Sequence, residues 1–263
     1  MGRTRGTWNS TGTWAAGVAL VALLAFTGYA VLSGDEDTDT PSKGGSSASA
    51  TASPGPSATY APPDDWSEPT SWAALPRGER TDRGSQVGFP HSTEGAVAMM
   101  VAANTTAIEG ETTNVDEQLR IYRSYIGADD QSSENAEQIE LAAIESDKAL
   151  AKQMGVSPGQ PLPSGAYVRG TVVGYKVIKE SDTEVSAWLL SRVVQKNGET
   201  EREKGSYTRT LAGAQWEGGD WKLTGDATVR AQQEVQGQAQ PTMAAPGDPE
   251  FNQAGWTAIR QAS

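Results

Sequence analysis

The chain contains no cysteine, a single histidine (His91) and no run of clustered lysine or arginine. Without cysteine there is no thiol nucleophile, no disulfide, no cysteine-ligated zinc or iron–sulfur site, and no attachment point for a lipoprotein lipid. With one histidine, the two-histidine zinc motif of metalloproteases is excluded. At most one serine–histidine–acid arrangement could be built. Without a basic block, and with a net charge of −12, the chain has no electrostatic footprint for nucleic acid. A fold of this composition must be held by its apolar core alone.

Charge is missing altogether from Trp14 to Leu32, a run of 19 residues. That is about the length needed for a helix to cross a ~30 Å hydrocarbon core. Trp14 and Tyr29 lie near its two ends, where amphipathic rings settle at the water interfaces. Arg3 and Arg5 precede the run, and Asp35, Glu36, Asp37 and Asp39 follow it. Basic flanks stay in the cytoplasm, so the asymmetry predicts a cytoplasmic N-terminus and an extracytoplasmic remainder. A cleaved signal peptide is the competing reading, with Gly28-Tyr29-Ala30 as a poor cleavage site, but the apolar run exceeds the usual ~7–15 residues. A buried core helix fits less well, because the segment is apolar all round and opens directly into a polar tract.

The organisation that follows is a cytoplasmic tail (1–13), a transmembrane helix (14–32) and a disordered linker (33–65) rich in Ser, Ala, Thr, Gly and Pro. A flexible tether of that length reaches roughly 30 Å. An extended arm (66–84) comes next, with Trp66 and Trp72 set among turn residues. It reads as a strap packing its aromatics onto the domain beyond, or as a partner-binding segment that also uses Phe89. All 33 acidic residues and 19 of the 21 basic ones lie beyond the span, leaving −14 on the outside.

Residues 85–228 carry the patterns of an α+β domain. Ser92 or Thr93 caps a helix in which Ala96, Met99, Met100, Ala103 and Ala107 recur at helical spacing up to Gly110. Asn114 and Glu117 form a capping-box pattern for a second helix carrying Val115, Leu119, Tyr122 and Ile126 on one face. A third runs from about Ser133 to Met154 and stops at Gly155, with Pro158 beyond. The period then changes to two. Strands are predicted at Tyr167–Ile178, Val185–Val194, about Ser206–Trp216, and Trp221–Leu223. Asn197-Gly198 and Gly218-Gly219 are the turns, and Gly170 and Gly174 mark bulges or a strong bend. The expectation is three helices on a curved, antiparallel, four-stranded sheet. Residues 229–263 read as a mostly disordered tail, whose Phe251, Trp256 and Ile259 dock back onto the domain or serve a partner.

Candidate chemistry is sparse. His91 lies beside Ser92 and Thr93 just before a helix, which reads as a helix-start histidine, because a triad is assembled in space. Glu140, Glu145 and Asp147 fall on the solvated face of the third helix and lack an EF-hand loop. Gly84–Gly95 holds no phosphate-loop pattern. Nothing calls for a catalytic residue, a cofactor or a metal. Trp188, Trp216 and Trp221 in the sheet read as core residues, or as the lining of an apolar pocket if the curved sheet keeps an open mouth.

Several short motifs carry a resemblance: Leu75-Pro76, Gly88-Phe89 with Thr93-x-Gly95-Ala96, the strand Asp220-Trp221-Lys222-Leu223, and Trp256 near the end. Together with the layout they resemble the bitopic membrane proteins of actinobacterial integrative conjugative elements. These are akin to scaffold subunits of type IV secretion machinery whose outer domain has the nuclear-transport-factor-like fold. The resemblance spans roughly residues 14–228. It implies a non-catalytic, single-pass scaffold of a conjugative DNA-transfer apparatus. Its expected partners are the bilayer through 14–32, other membrane proteins of the apparatus and further copies of itself, with no direct nucleic-acid contact. The alternative is a membrane-tethered extracytoplasmic ligand-binding module; an enzyme built on His91 and a neighbouring carboxylate is the remotest reading.

The cysteine-free background makes the orientation directly testable. In intact cells a membrane-impermeant maleimide should label Ser46→Cys and should reach Ser10→Cys only after permeabilisation. The reverse pattern would overturn the orientation.

Overall fold

Asp220 is the joint around which the chain closes. Its buried carboxylate accepts backbone N–H groups from Gly88 (2.9 Å), Phe89 (3.0 Å) and Trp221 (2.9 Å). Lys222 lies against the same group at 3.4 Å and donates to the Ser124 carbonyl at 2.8 Å. A buried charge is stable only when so provided for. In this computed structural model, which describes residues 65–260, that joint ties the start of the domain to a strand more than a hundred residues later. The tail at 1–13, the span at 14–32 and linker residues 33–64 lie outside the described residues. Among the described residues no helix is long and apolar enough to cross a membrane.

The fold is α+β. Strand β1 (Trp72–Ala73) is followed by a small hairpin, β2 (Arg80–Asp82) and β3 (Ser85–Val87). Arg120 fastens that hairpin, donating to Ser85 Oγ at 2.9 Å while paired with Glu117 at 2.9 Å. Helix α1 (Thr93–Ala103) starts at Ser92, whose hydroxyl accepts the Gly95 N–H. Strand β4 (Thr106–Glu109) replaces the last predicted turn of that helix, and Ala107 belongs to it. Helix α2 (Asn114–Tyr125) has its capping box on Thr113 and Asp116, one residue before the predicted pair. Helix α3 runs Ser133–Met154 as predicted, with Gly155 left-handed at its end (φ 71°).

Strands β5 (Tyr167–Glu180), β6 (Glu184–Lys196), β7 (Lys204–Glu217) and β8 (Asp220–Leu223) form the predicted antiparallel meander. Gly218 and Gly219, with φ of 60° and 86°, make the two-residue turn into β8. Asn197-Gly198 does not make such a turn, since β6 and β7 are joined by the longer loop 197–203. Strand β5 slips register between Val172 and Gly174 and again between Val177 and Lys179, so the bend lies at Gly174 and beyond. At Gly170 the ladder is regular.

The sheet corrects the four-stranded antiparallel expectation. It is seven-stranded and mixed, in the order β1-β9-β5-β6-β7-β8 with β4 also on β5, and β1 runs parallel to β9 (Thr257–Ile259). The stretch 229–263, expected to be mostly disordered, holds the end of helix α4 (Gly225–Glu234), helix α5 (Pro249–Gln253) and β9. Both faces of the sheet are therefore covered over its central part, and one face is open at the β4 end, where Glu109, Arg169 and Arg192 are exposed. Strand β6 shows this directly, because Val185, Ala187 and Leu189 enter the core beneath α1 and α2 while Trp188 and Leu190 enter a second core. Phe251, Trp256, Ala231 and Ala244 complete that second core from the C-terminal segment. Gly213 allows α4 to lie flat on the sheet, since a Cβ there would stand 2.3 Å from the Ala227 carbonyl carbon.

Replacing Asp220 by alanine leaves three buried N–H groups without their acceptor. The expected cost is roughly 3 kcal/mol in denaturant unfolding followed by tryptophan fluorescence. A loss below about 1 kcal/mol, the ordinary surface range being about ±0.5 kcal/mol, would deny the joint its role.

Candidate functional site

The structure separates the residues singled out by the sequence. Trp221 is fully buried in the first core, and its indole N–H donates to the Pro90 carbonyl at 2.9 Å. Trp216 lies half-buried beside it, with ring centroids 5.4 Å apart in an edge-on arrangement. Trp188 does not join them. It faces the opposite side of the sheet, with the Arg209 guanidinium 5.5 Å from its ring centre. Phe89 and Trp256 are buried, and Trp256 donates to the Thr242 carbonyl at 2.8 Å. Both are core residues rather than contact residues. Of the two readings of these rings, core or pocket lining, the packing fits the first: Trp216 and Trp221 lie in or against one core and Trp188 in the other.

His91 stacks on Trp216, centroid to centroid 4.0 Å and within 9° of parallel, and meets Trp221 edge-on at 5.7 Å. Its exposed ring hydrogen-bonds through Nε2 to the Asp182 backbone carbonyl in the β5–β6 turn. The neighbouring Thr93 hydroxyl donates to Glu180 at 3.0 Å. The partner of the imidazole is thus a peptide group rather than a carboxylate. The arrangement pins the start of α1 to a turn. Among the described residues no group of three or more His, Asp or Glu side chains is placed to hold a metal ion.

Among the described residues Trp66 and Trp72 are the exposed tryptophans, at about 38 % and 37 %. One carboxylate organises both, because Glu68 accepts the Trp66 indole N–H at 2.8 Å and that of Trp72 at 2.9 Å. The arm is then tied to the C-terminal segment. Ser67 N–H donates to the Gly247 carbonyl (2.7 Å), Thr70 N–H donates to Asn252 (2.9 Å), and Arg260 stands 5.8 Å from the Trp72 ring centre. This patch joins the two ends of the described chain. The hydrogen bonds from Trp66 and then Trp72 hold the Glu68 carboxyl below the ordinary carboxylate range.

A further site had no counterpart in the sequence reading. Between the C-terminal half of α3, the 110–113 loop and the proline-containing loop 158–162 lies a cleft of about 440 Å³. Ile108, Leu150 and Leu162 form its floor over a small third core with Met154 and Val168. The Leu162 N–H bonds the Gly110 carbonyl at 3.2 Å and draws the two loops together. Asp147 on α3 closes one wall. Its Oδ1 accepts Asn114 N–H (2.9 Å) and Nδ2–H (2.8 Å), and its Oδ2 accepts Val115 N–H (3.3 Å). The solvated-face reading of Asp147 is therefore corrected: it caps α2 from a neighbouring helix. The only signal available beforehand was the Pro-rich break after Gly155, which shows a loop and not what the loop faces.

Compared with family models, curated proteins and solved structures, the chain matches none.

Because Glu68 is depressed, its contribution is present above the unfolded carboxyl value of about 4.3. It is lost only as pH falls through the lower folded value. The Trp66 and Trp72 indole N–H resonances should therefore move together on acidification, with a midpoint below that of an ordinary glutamate. Glu68→Gln should abolish the coupled transition. Separate midpoints would show that the two rings do not share this carboxylate.

Proposed function

We propose that the chain is a non-catalytic, single-pass membrane protein that serves as a scaffold in a conjugative DNA-transfer apparatus of the type IV secretion kind. On this reading residues 14–32 anchor it in the cell membrane, the N-terminus is cytoplasmic and the described domain is extracytoplasmic. Helices α1–α3 against the bent β5–β8 meander would be a nuclear-transport-factor-like cone, extended by β4, β9 and β1.

The observation that carries the reading is how the domain uses its apolar surface. The central strands are packed on both faces by the chain itself, and among the described residues the large apolar side chains left outside are Trp66, Trp72, Leu141 and Met243. Two of these sit on the arm by which the domain joins its tether. That exposed arm is suited to contact with other proteins, among them further copies of this chain. An outside charge of −14 disfavours nucleic acid and anionic lipid as direct contacts. The second reading, a tethered ligand-binding module, draws its support from the cleft beside α3 and not from the sheet mouth.

In-cell crosslinking of the tagged full-length chain in its native host, followed by solubilisation and mass spectrometry, tests the proposal. A transfer ATPase or channel subunit among the crosslinked partners is the expected result. Recovery of the chain alone, or of nothing, would overturn the scaffold reading.

A further inference from the structure

We infer that the cleft between α3 and the 158–162 loop binds a small molecule with an apolar body and a positively charged end. Its volume of about 440 Å³ lies within the range of small-molecule pockets, roughly 300–1,000 Å³. Its floor is aliphatic, and Pro158 and Pro161 stiffen the wall facing α3. An apolar hollow open to water gains by taking up an apolar body.

The sign of the polar end follows from what already surrounds the cleft. The start of α2 would be the natural place for an anion, but the protein has filled it with its own carboxylate. Asp147 takes the Asn114 and Val115 N–H groups, and Thr113 Oγ1 takes that of Asp116 at 3.1 Å. No donor at that helix start is left for a ligand's carboxylate or phosphate. Glu111 and Asp147 lie on the cleft wall beside one cation, Lys148, whose ammonium is engaged by Glu145 at 2.7 Å. The fixed charge facing a ligand is therefore negative. An ammonium on an apolar body is attracted and an anion of the same shape is repelled. This inference does not depend on the scaffold reading.

The test uses the full-length chain in nanodiscs, with isoleucine and leucine methyl groups labelled for NMR. The probes are 2-phenylethylamine and phenylacetate, of similar size and opposite charge. The amine should produce saturable shifts at Ile108, Ile144, Leu150 and Leu162. Phenylacetate should bind roughly tenfold more weakly, the order expected for one unscreened like charge. Leu150→Trp, which fills the hollow, should abolish the shifts. Glu111→Gln, an exposed substitution that leaves the core untouched, should weaken the amine several-fold and spare the other methyl resonances. Absence of saturable shifts in the wild-type chain would overturn the site. Equal binding of amine and acid, or no effect of Glu111→Gln, would overturn the charge assignment.

Discussion

A single buried carboxylate sets the geometry of the first core. Asp220 draws in Gly88 and Phe89, and that fixes where Pro90 must lie. The Pro90 carbonyl then receives the Trp221 indole N–H, and the chain passes through His91, stacked on Trp216, to the Ser92 cap of α1. The approach is so close that a Cβ on Gly95 would stand 1.9 Å from the Pro90 oxygen. Two short motifs far apart in the sequence, Gly88-Phe89 with Gly95-Ala96 and Asp220-Trp221-Lys222-Leu223, thus form the two halves of one hydrogen-bonded joint. Their residue types follow from that joint. The carboxylate needs bare N–H donors, the indole needs a carbonyl, and the helix start needs a residue without a side chain.

The second constraint is that the central strands of the sheet are packed on both faces, while Glu109, Arg169 and Arg192 leave the β4 end of one face in solvent. A strand such as β6, buried on both sides from Val185 to Leu190, needs a cover on each. Helices α1 and α2 supply one. On the other, α4 comes close enough that Gly213 must lack a side chain, and Phe251 packs on Gly174, where a Cβ would stand 3.1 Å from its ring. The bulges in β5 serve this second core, since Val173 and Ile178, the residues at the two slips, pack against it.

Much of this was legible in the sequence. The bounds of α3, the Ser92 cap and the meander from Tyr167 to Leu223 follow from periodicity and turn chemistry, which are local properties. What was not legible depended on a surface elsewhere in the chain. Strand β4 is four residues long, and Ala107 continues the helical spacing of α1, so only pairing with β5 reveals it. Residues 229–250 look disordered because Gln, Ala and Pro give no apolar stripe. Their few buried side chains, Ala231 and Ala244 among them, have value only once a sheet face stands opposite. The loop at Asn197-Gly198 is a case of tertiary context outweighing a strong turn pair. The cleft beside α3 draws on three separated segments, none with a pattern of its own.

The parallel pairing of β1 with β9 has a consequence for how the molecule is made. Residues 72–73 leave the ribosome early, yet their partner, 258–259, is synthesised some 185 residues later. The second core likewise lacks Phe251 and Trp256 until almost the whole domain has emerged. Vectorial synthesis can therefore complete the α1–α2 side first, while the opposite sheet face stays uncovered and its arm unattached. Until the last strand arrives, the nascent domain is a half-built sandwich with one apolar sheet face open to water.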